Sequence, residues 1–367
     1  MALQEEIDSK AKEIHSDSYP MSIGEIVSIY SDEELDIHPD FQRFYRWSLQ
    51  QKSRLIESIL LGIPIPSIFV AQRDDGVWDV VDGLQRLSTI FEFMGILKDA
   101  EGNVLPQLKL SATRYLPSLE NKVWDSDDES ISLTQTQRLI VKRSKLQIQI
   151  VKKESDKDTK YELFQRLNTG GTRLSDQEVR NCLLVMIDKD FFTWLKELAD
   201  NPAFQNCISV SERATNERYD MELVLRFLVY RYTDSSEISR STELNELLTN
   251  RLIEFSEKNI FDRTQEKEIF VKTFELLNEA LGDNTFRKYS QEKDRFIGPF
   301  SISGFEVIIP GLSKYINNYS TSDAQDIESR IKQIWDMEEF KRHSGAGLRA
   351  ADRVQHLFPL SEEVFKK

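Results

Sequence analysis

Residues 78–90 read WDVVDGLQRLSTI, and the period of the sequence changes in their middle. WDVVD has the β-rich character of a strand, Gly83 interrupts it, and Leu84, Leu87, Ile90, Phe91 and Met94 then recur at helical spacing. A strand handing over to a helix through one glycine predicts a mixed fold for this part of the chain. Just upstream, IPSIFVAQ at 65–72 is a second β-rich run, separated from VWDVVD by a turn containing Asp-Asp-Gly. The two predict a hairpin whose second strand ends at Asp82. Before it, SLQQKSRLIESILLG at 48–62 carries apolar residues at 55, 56, 59 and 60, with Ser48 as N-cap and Gly62 as stop, which predicts an amphipathic helix.

Further out, residues 4–16 read as a short polar helix, and Ser22 as the cap of a second helix ending near Tyr30. LQIQIV at 146–151 alternates like a strand, and YELFQRLN at 161–168 reads as a helix stopped by Asn168-Thr169-Gly170-Gly171. Residues 99–135, with the acidic run DSDDES from Asp125, read as loop-rich surface. From Ser175, which stands at capping-box spacing from Glu178, the patterns are helical to the end. The expectation is an α+β domain over 1–175, with an N-terminal helical arm, and an α-helical domain over 176–367.

With 40% hydrophobic and 30% charged residues the chain is of globular type. A net charge of −14 is the wrong sign for a protein that coats DNA through counterion release, so any nucleic-acid contact has to be a local basic patch. The two cysteines, Cys182 and Cys207, are too few for a disulfide framework and not spaced as a zinc site. The start, MALQEEIDSKAKEI, lacks the apolar stretch of a signal peptide. LIESILLGIPIPSIFVA is broken by Glu57 and two prolines, short of the roughly 18 to 20 apolar residues that span a bilayer. A soluble, cytoplasmic protein without membrane partners is expected.

In VVDGLQR, Asp82 closes a strand, Gly83 turns the chain, and Gln85, Arg86, Ser88 and Thr89 fall in the first turns of the next helix. Free N–H groups at a helix start favour phosphate, glycine lets a ligand approach the backbone, and Arg86 can donate a charge-assisted bidentate pair. Asp82 can hold Mg²⁺ beside that phosphate. The competing reading is a plain turn and cap, with Arg86 paired to a surface carboxylate. A Walker A pattern is absent. Arg43, Arg46 and Trp47 precede the box and would add cations and an aromatic wall, while Phe41, Phe44, Tyr45 and Trp47 are equally readable as core. Asn168, Thr169, Gly170 and Gly171, beside Arg173, form either a backbone nest for an anion or a helix C-cap.

Three motifs stand in order: PDFQRFYRW at 39–47, LGIPIPSIFV at 61–70 and VVDGLQRLSTI at 80–90. Together with LFQRLNTGGTRLSDQEVRN further on, they resemble the N-terminal domain of the GmrSD type IV restriction enzymes, a domain of the ParB/sulfiredoxin-like superfamily. The resemblance runs to about residue 231. It implies an α+β fold followed by helices, and NTP binding or hydrolysis linked to DNA in defence against phage. The family's D-G-Q-Q-R box carries over to Asp82, Gly83, Gln85 and Arg86, and its upstream motif to Gln42 and Arg43. Leu84 stands where the family has the first Gln, a departure that bears on hydrolysis more than on binding.

Asp82, Gln85 and Arg86 are therefore the candidate catalytic residues, with Asp82 the candidate Mg²⁺ ligand. Gln42, Arg43, Arg46, Gly83, Arg86, Ser88, Asn168, Gly170 and Gly171 are the candidate nucleotide- and phosphate-binding residues. Arg180, Asn181, Arg213 and Arg218 are weaker candidates for the same site. The four histidines, His15, His38, His343 and His356, do not form the clustered pattern of an HNH nuclease, and Lys341, Arg342, Arg349 and Arg353 make a basic stretch near the second pair. The first functional reading is a nucleotide-binding sensor or regulator of DNA-directed defence, whose partners are a nucleotide and DNA or a DNA-acting protein, with homo-oligomerisation open. The second is a non-catalytic DNA-binding or partner-docking module. A stand-alone nuclease ranks last.

Overall fold

The computed structural model describes residues 16–37, 47–99, 101–152, 175–211, 214–215, 217–233, 237–238, 243–345 and 347–367. The chain divides into two compact units, Met1–Leu174 and Ser175–Lys367.

The first unit is α+β. In chain order it contains β1 (Ser16–Ser22), α1 (Ile23–Ser31), β2 (Leu35–Asp36), α2 (Leu49–Leu61), β3 (Ile68–Gln72), β4 (Trp78–Asp82), α3 (Leu84–Phe93), α4 (Gln135–Arg143) and β5 (Lys145–Val151). The five strands form one mixed sheet in the order β1-β5-β3-β4-β2. β3 and β4 pair antiparallel as the expected hairpin, with an irregularity between Phe69 and Val70, and β5 lies parallel to β3. On β5 the alternation of LQIQIV is realised directly, since Leu146, Ile148 and Ile150 are buried. They join Ile68, Val70 and Val80 and the apolar faces of α2 and α3, including Ile56, Ile59, Leu87, Ile90 and Phe91, in one core.

The helix boundaries follow their local signals. Ser22, Ser48 and Ser175 each accept from the backbone N–H three residues on and complete a capping box. Gly62 ends α2 in the left-handed conformation at φ 69°. Two elements go beyond the sequence reading. Ser16 already belongs to β1, whose SDSYPMS lacks apolar alternation and is held by a seven-residue antiparallel ladder to β5. QTQRLIVKR, unassigned above, forms α4 behind a Thr134 capping box. The expected helices at 4–16 and 161–168 lie outside the described residues apart from Ser16.

The second unit is mostly helical: α5 (Asp176–Ile187), α6 (Lys189–Ala199), α7 (Pro202–Ile208), α8 (Tyr219–Tyr232), α9 (Leu244–Glu257), α10 (Arg263–Ala280), α11 (Ile302–Tyr315), α12 (Ala324–Ile334), α13 (Glu338–His343) and α14 (Ala350–Phe365), with a small hairpin of β6 (Lys288–Ser290) and β7 (Arg295–Ile297). α8 is the axis of this unit, because residues 223–230 are all buried. Phe227 packs edge-on to Phe270, and Phe204 edge-on to Phe274. α11 and α14 approach so closely that a Cβ on Gly311 would lie 2.2 Å from the Ser361 carbonyl oxygen. No helix among the described residues is long and apolar enough to cross a membrane.

Candidate functional site

β4 lies between β3 and β2 in the sheet; β2 pairs with Trp78 and Asp79 at its start, and Asp82 at its end pairs with Phe69 of β3. At the opposite end of the strand Arg73 joins the buried Asp79 to Asp36 on β2, with Nη2 2.5 Å from the Asp36 carboxylate. Asp82 closes the strand, and Gly83 then takes φ 101° and ψ 7°, a conformation costly to any residue with a side chain. The glycine also has no room to spare: a Cβ there would lie 2.3 Å from Ile68 Cδ1. α3 starts at once, with no side chain capping it, and its first intrahelical bond runs from Leu87 N–H to the Gly83 carbonyl at 2.9 Å. The first-turn N–H groups thus precede any intrahelical acceptor.

The side chains of the box are placed as follows. Asp82 is 43% exposed, and its Oδ2 accepts from Arg86 Nη2 at 2.9 Å. Arg86 is buried, and its Nη1 donates to the carbonyls of Pro66 at 2.5 Å and Ser67 at 3.1 Å. The Arg86 partner is thus the neighbouring Asp82 together with two backbone oxygens of the proline loop. Gln85 Oε1 accepts from Trp47 N–H at 3.1 Å. Leu84, at the position of the departing residue, is partly buried against the core. Ser88 Oγ and Thr89 Oγ1 are buried without a hydrogen-bond partner. One turn on, Glu92 pairs with Lys52 at 2.5 Å, tying α3 to α2.

The structure therefore brings the box together with the end of the upstream motif, through Trp47, and with the proline loop, through Pro66 and Ser67. Gln42, Arg43, Arg46, Asn168, Gly170 and Gly171 lie outside the described residues, as do Thr169, Arg173, Arg213, His15, His38 and the aromatics at 41, 44 and 45. The sequence reading missed the Pro66 and Ser67 carbonyls. The signal for them was the I-P-I-P-S run, where prolines remove N–H donors and leave acceptors.

Three of the weaker candidates, Arg180, Asn181 and Arg218, are engaged in the interior of the helical unit. Arg180 is fully buried and reaches Glu222 at 2.8 Å, while Asn181 accepts from Gln177. Arg218 is buried beside Asp220. The basic stretch near the C-terminus is largely paired: Arg353 with Glu306, Lys341 with Asp336 and Glu338, and Arg342 with Glu339. His343 and His356, distant in sequence, stack at 3.9 Å, and His343 Nε2 lies 3.1 Å from Glu339. Among the described residues no group of three His, Cys, Asp or Glu side chains could hold a metal ion. Cys207 is buried, which pushes its thiol up to about 12 and leaves it unreactive at neutral pH.

No curated protein and no solved structure matches the chain. Residues 23–185 match the family model described as the GmrSD restriction endonuclease N-terminal domain. The match takes in the sheet unit from α1 onward and continues through most of α5.

Proposed function

We propose, from the match of residues 23–185 to the GmrSD restriction endonuclease N-terminal domain model, that this chain is a nucleotide-binding sensor or regulator in restriction-type defence against foreign DNA. The observation that carries the reading is the Asp82–Gly83–α3 junction. A half-exposed carboxylate stands at the end of an interior strand, next to an uncapped helix start approached across a glycine. Uncapped N–H groups and the helix dipole favour a phosphate chain. Ser88, one turn into the same helix, carries a buried hydroxyl without a partner.

Mg²⁺ fits this donor set in a limited way. One carboxylate, with only Oδ2 engaged by Arg86, is the kind of ligand Mg²⁺ takes when phosphate oxygens and water fill its remaining positions. When bound, the ion would neutralise phosphate charge. Hydrolysis is the step tested separately, because Leu84 replaces a polar residue of the family's box. With a net charge of −14, the link to DNA is assigned to a local patch or to a DNA-acting partner protein.

The test is thermal denaturation of the full chain with a panel of millimolar NTPs and Mg²⁺, alongside phosphate release. A nucleotide at about a hundred times its Kd adds about 2.7 kcal/mol, which corresponds to roughly 5–10 °C for units of this size. The shift should disappear in Asp82→Ala. A wild-type melting temperature unmoved by every NTP would refute nucleotide binding. DNA binding that ignores NTP and survives Asp82→Ala would instead establish the non-catalytic reading.

A further inference from the structure

We propose that Arg86 and Gln85 are positioning residues that fasten the three motifs into one site, and that Arg86 acts on the ligand through Asp82. This rests on the nucleotide reading of the box and revises the part the Arg plays in it. Of the five N–H donors of a guanidinium, three are taken up here: two by the Pro66 and Ser67 carbonyls and one by the Asp82 carboxylate. The Arg86 side chain is 11% exposed, whereas that of Asp82 is 43% exposed. The cation is therefore spent on holding a loop and a carboxylate, and the carboxylate is the group that faces outward. Ile68, directly after the clamped carbonyls, places its Cδ1 where a Cβ on Gly83 would stand, so the clamp also sets the width of the glycine turn. Gln85 does the equivalent on the other side. Its Oε1 takes the Trp47 N–H, which anchors the C-terminal end of the upstream motif to the start of α3.

This accounts for motifs that travel together in sequence: each supplies backbone groups that the box's side chains bind. It also separates Arg86 from an ordinary phosphate clamp. A phosphate ligand can be replaced in part by lysine, a point charge. A residue that must reach two carbonyls and a carboxylate in a planar fork cannot.

The experiment compares wild type, Arg86→Ala, Arg86→Lys and Asp82→Asn as full chains in two measurements. The first is amide hydrogen exchange over residues 63–70 without nucleotide. Both Arg86 variants should exchange faster there by about tenfold, because two part-buried hydrogen bonds to the loop are lost, while Asp82→Asn, which keeps an acceptor for Nη2, should stay near wild type. The second is the Mg²⁺ concentration that gives half of the thermal shift produced by ATP. It should rise by about 10–100-fold in Arg86→Lys, as expected when the partner of a metal-binding carboxylate is removed.

Unchanged exchange in both Arg86 variants overturns the clamp. Faster exchange with an unchanged Mg²⁺ requirement overturns the action through Asp82 and leaves a structural residue only. Full restoration of both readouts by Arg86→Lys overturns the proposal as well. A wild type with no nucleotide shift defeats the nucleotide reading and the Mg²⁺ arm with it, while the exchange measurement decides the clamp without any ligand.

Discussion

Glu306→Ala is expected to destabilise the helical unit by about 3–5 kcal/mol, the cost of leaving a buried cation without its partner. Glu306 is fully buried on α11 and receives Arg353 from α14 through both Nε and Nη2, the latter at 2.9 Å. Arg226 of α8 lies 3.6 Å away and the Tyr230 hydroxyl 3.4 Å. Arg226 in turn holds Glu222 at 2.8 Å, which also takes Arg180 of α5. The result is one ionic layer joining four helices, in which Glu306 faces two arginines. Removing it strands Arg353 and leaves Arg226 with Glu222 alone, whereas Glu306→Ala combined with Arg353→Met removes one charge of each sign and should recover a good part of the loss. Urea denaturation of the two single variants and the double variant gives the coupling. A loss under about 1 kcal/mol for Glu306→Ala, the level of an exposed pair, would show that the layer is hydrated and not buried. The layer also has a pH signature. Burial pushes Glu222 up, but Arg226 and Arg180 outweigh it and hold the carboxyl below its ordinary value. A carboxyl depressed in the folded state stabilises above its unfolded pKa of about 4.3 and loses that contribution as pH falls through the folded value. Stability from this group should thus be complete at neutral pH and fade only in stronger acid.

That layer shows where the sequence stops being legible. Glu306 and Arg353 are 47 residues apart, and nothing local pairs them. Arg180, Arg218 and Arg353 read as candidate anion contacts from the sequence because an arginine near a glycine turn or a capped helix has the same local look whether it meets a phosphate or a buried glutamate. The loose spacing of His343 and His356 marked them as a pair but did not show that their rings stack. By contrast, the caps at Ser22, Ser48 and Ser175, the stop at Gly62 and the hairpin ending at Asp82 were all readable, since each is decided by residues within a few positions of one another. β1 was not, because its sequence has no strand pattern of its own and the pairing with β5 makes it one. At the candidate site the strand, glycine turn and helix were readable from the sequence, and the partners of the box's side chains were not. Arg86 is bound by carbonyls twenty and nineteen positions upstream, a choice made by the packing of β3 against α3.

Gly83→Ala is expected to cost about 2–5 kcal/mol and to abolish any ligand-induced stabilisation at the box. Two terms add. A φ of 101° is disfavoured for alanine by roughly 1–2 kcal/mol. The new methyl would also stand 2.3 Å from Ile68 Cδ1, and Ile68 is fully buried in the core of the sheet unit, so displacing it overpacks that core at about 1–3 kcal/mol. The two terms can be told apart. Gly62 has φ 69° with nothing within 4 Å of an added Cβ, so Gly62→Ala pays the backbone term alone. Ile68→Val removes the clashing Cδ1, and in the background of Gly83→Ala it should return the steric part while leaving the backbone part. Chemical denaturation of Gly62→Ala, Gly83→Ala, Ile68→Val and the double variant measures each. Equal losses for Gly62→Ala and Gly83→Ala would mean that the turn has slack against β3. Loss at Gly83 well above that at Gly62, relieved by Ile68→Val, would mean that the strand, turn and helix at residues 78–90 are held at a fixed spacing. A site that presents Asp82 and an uncapped helix start to the same ligand depends on that spacing.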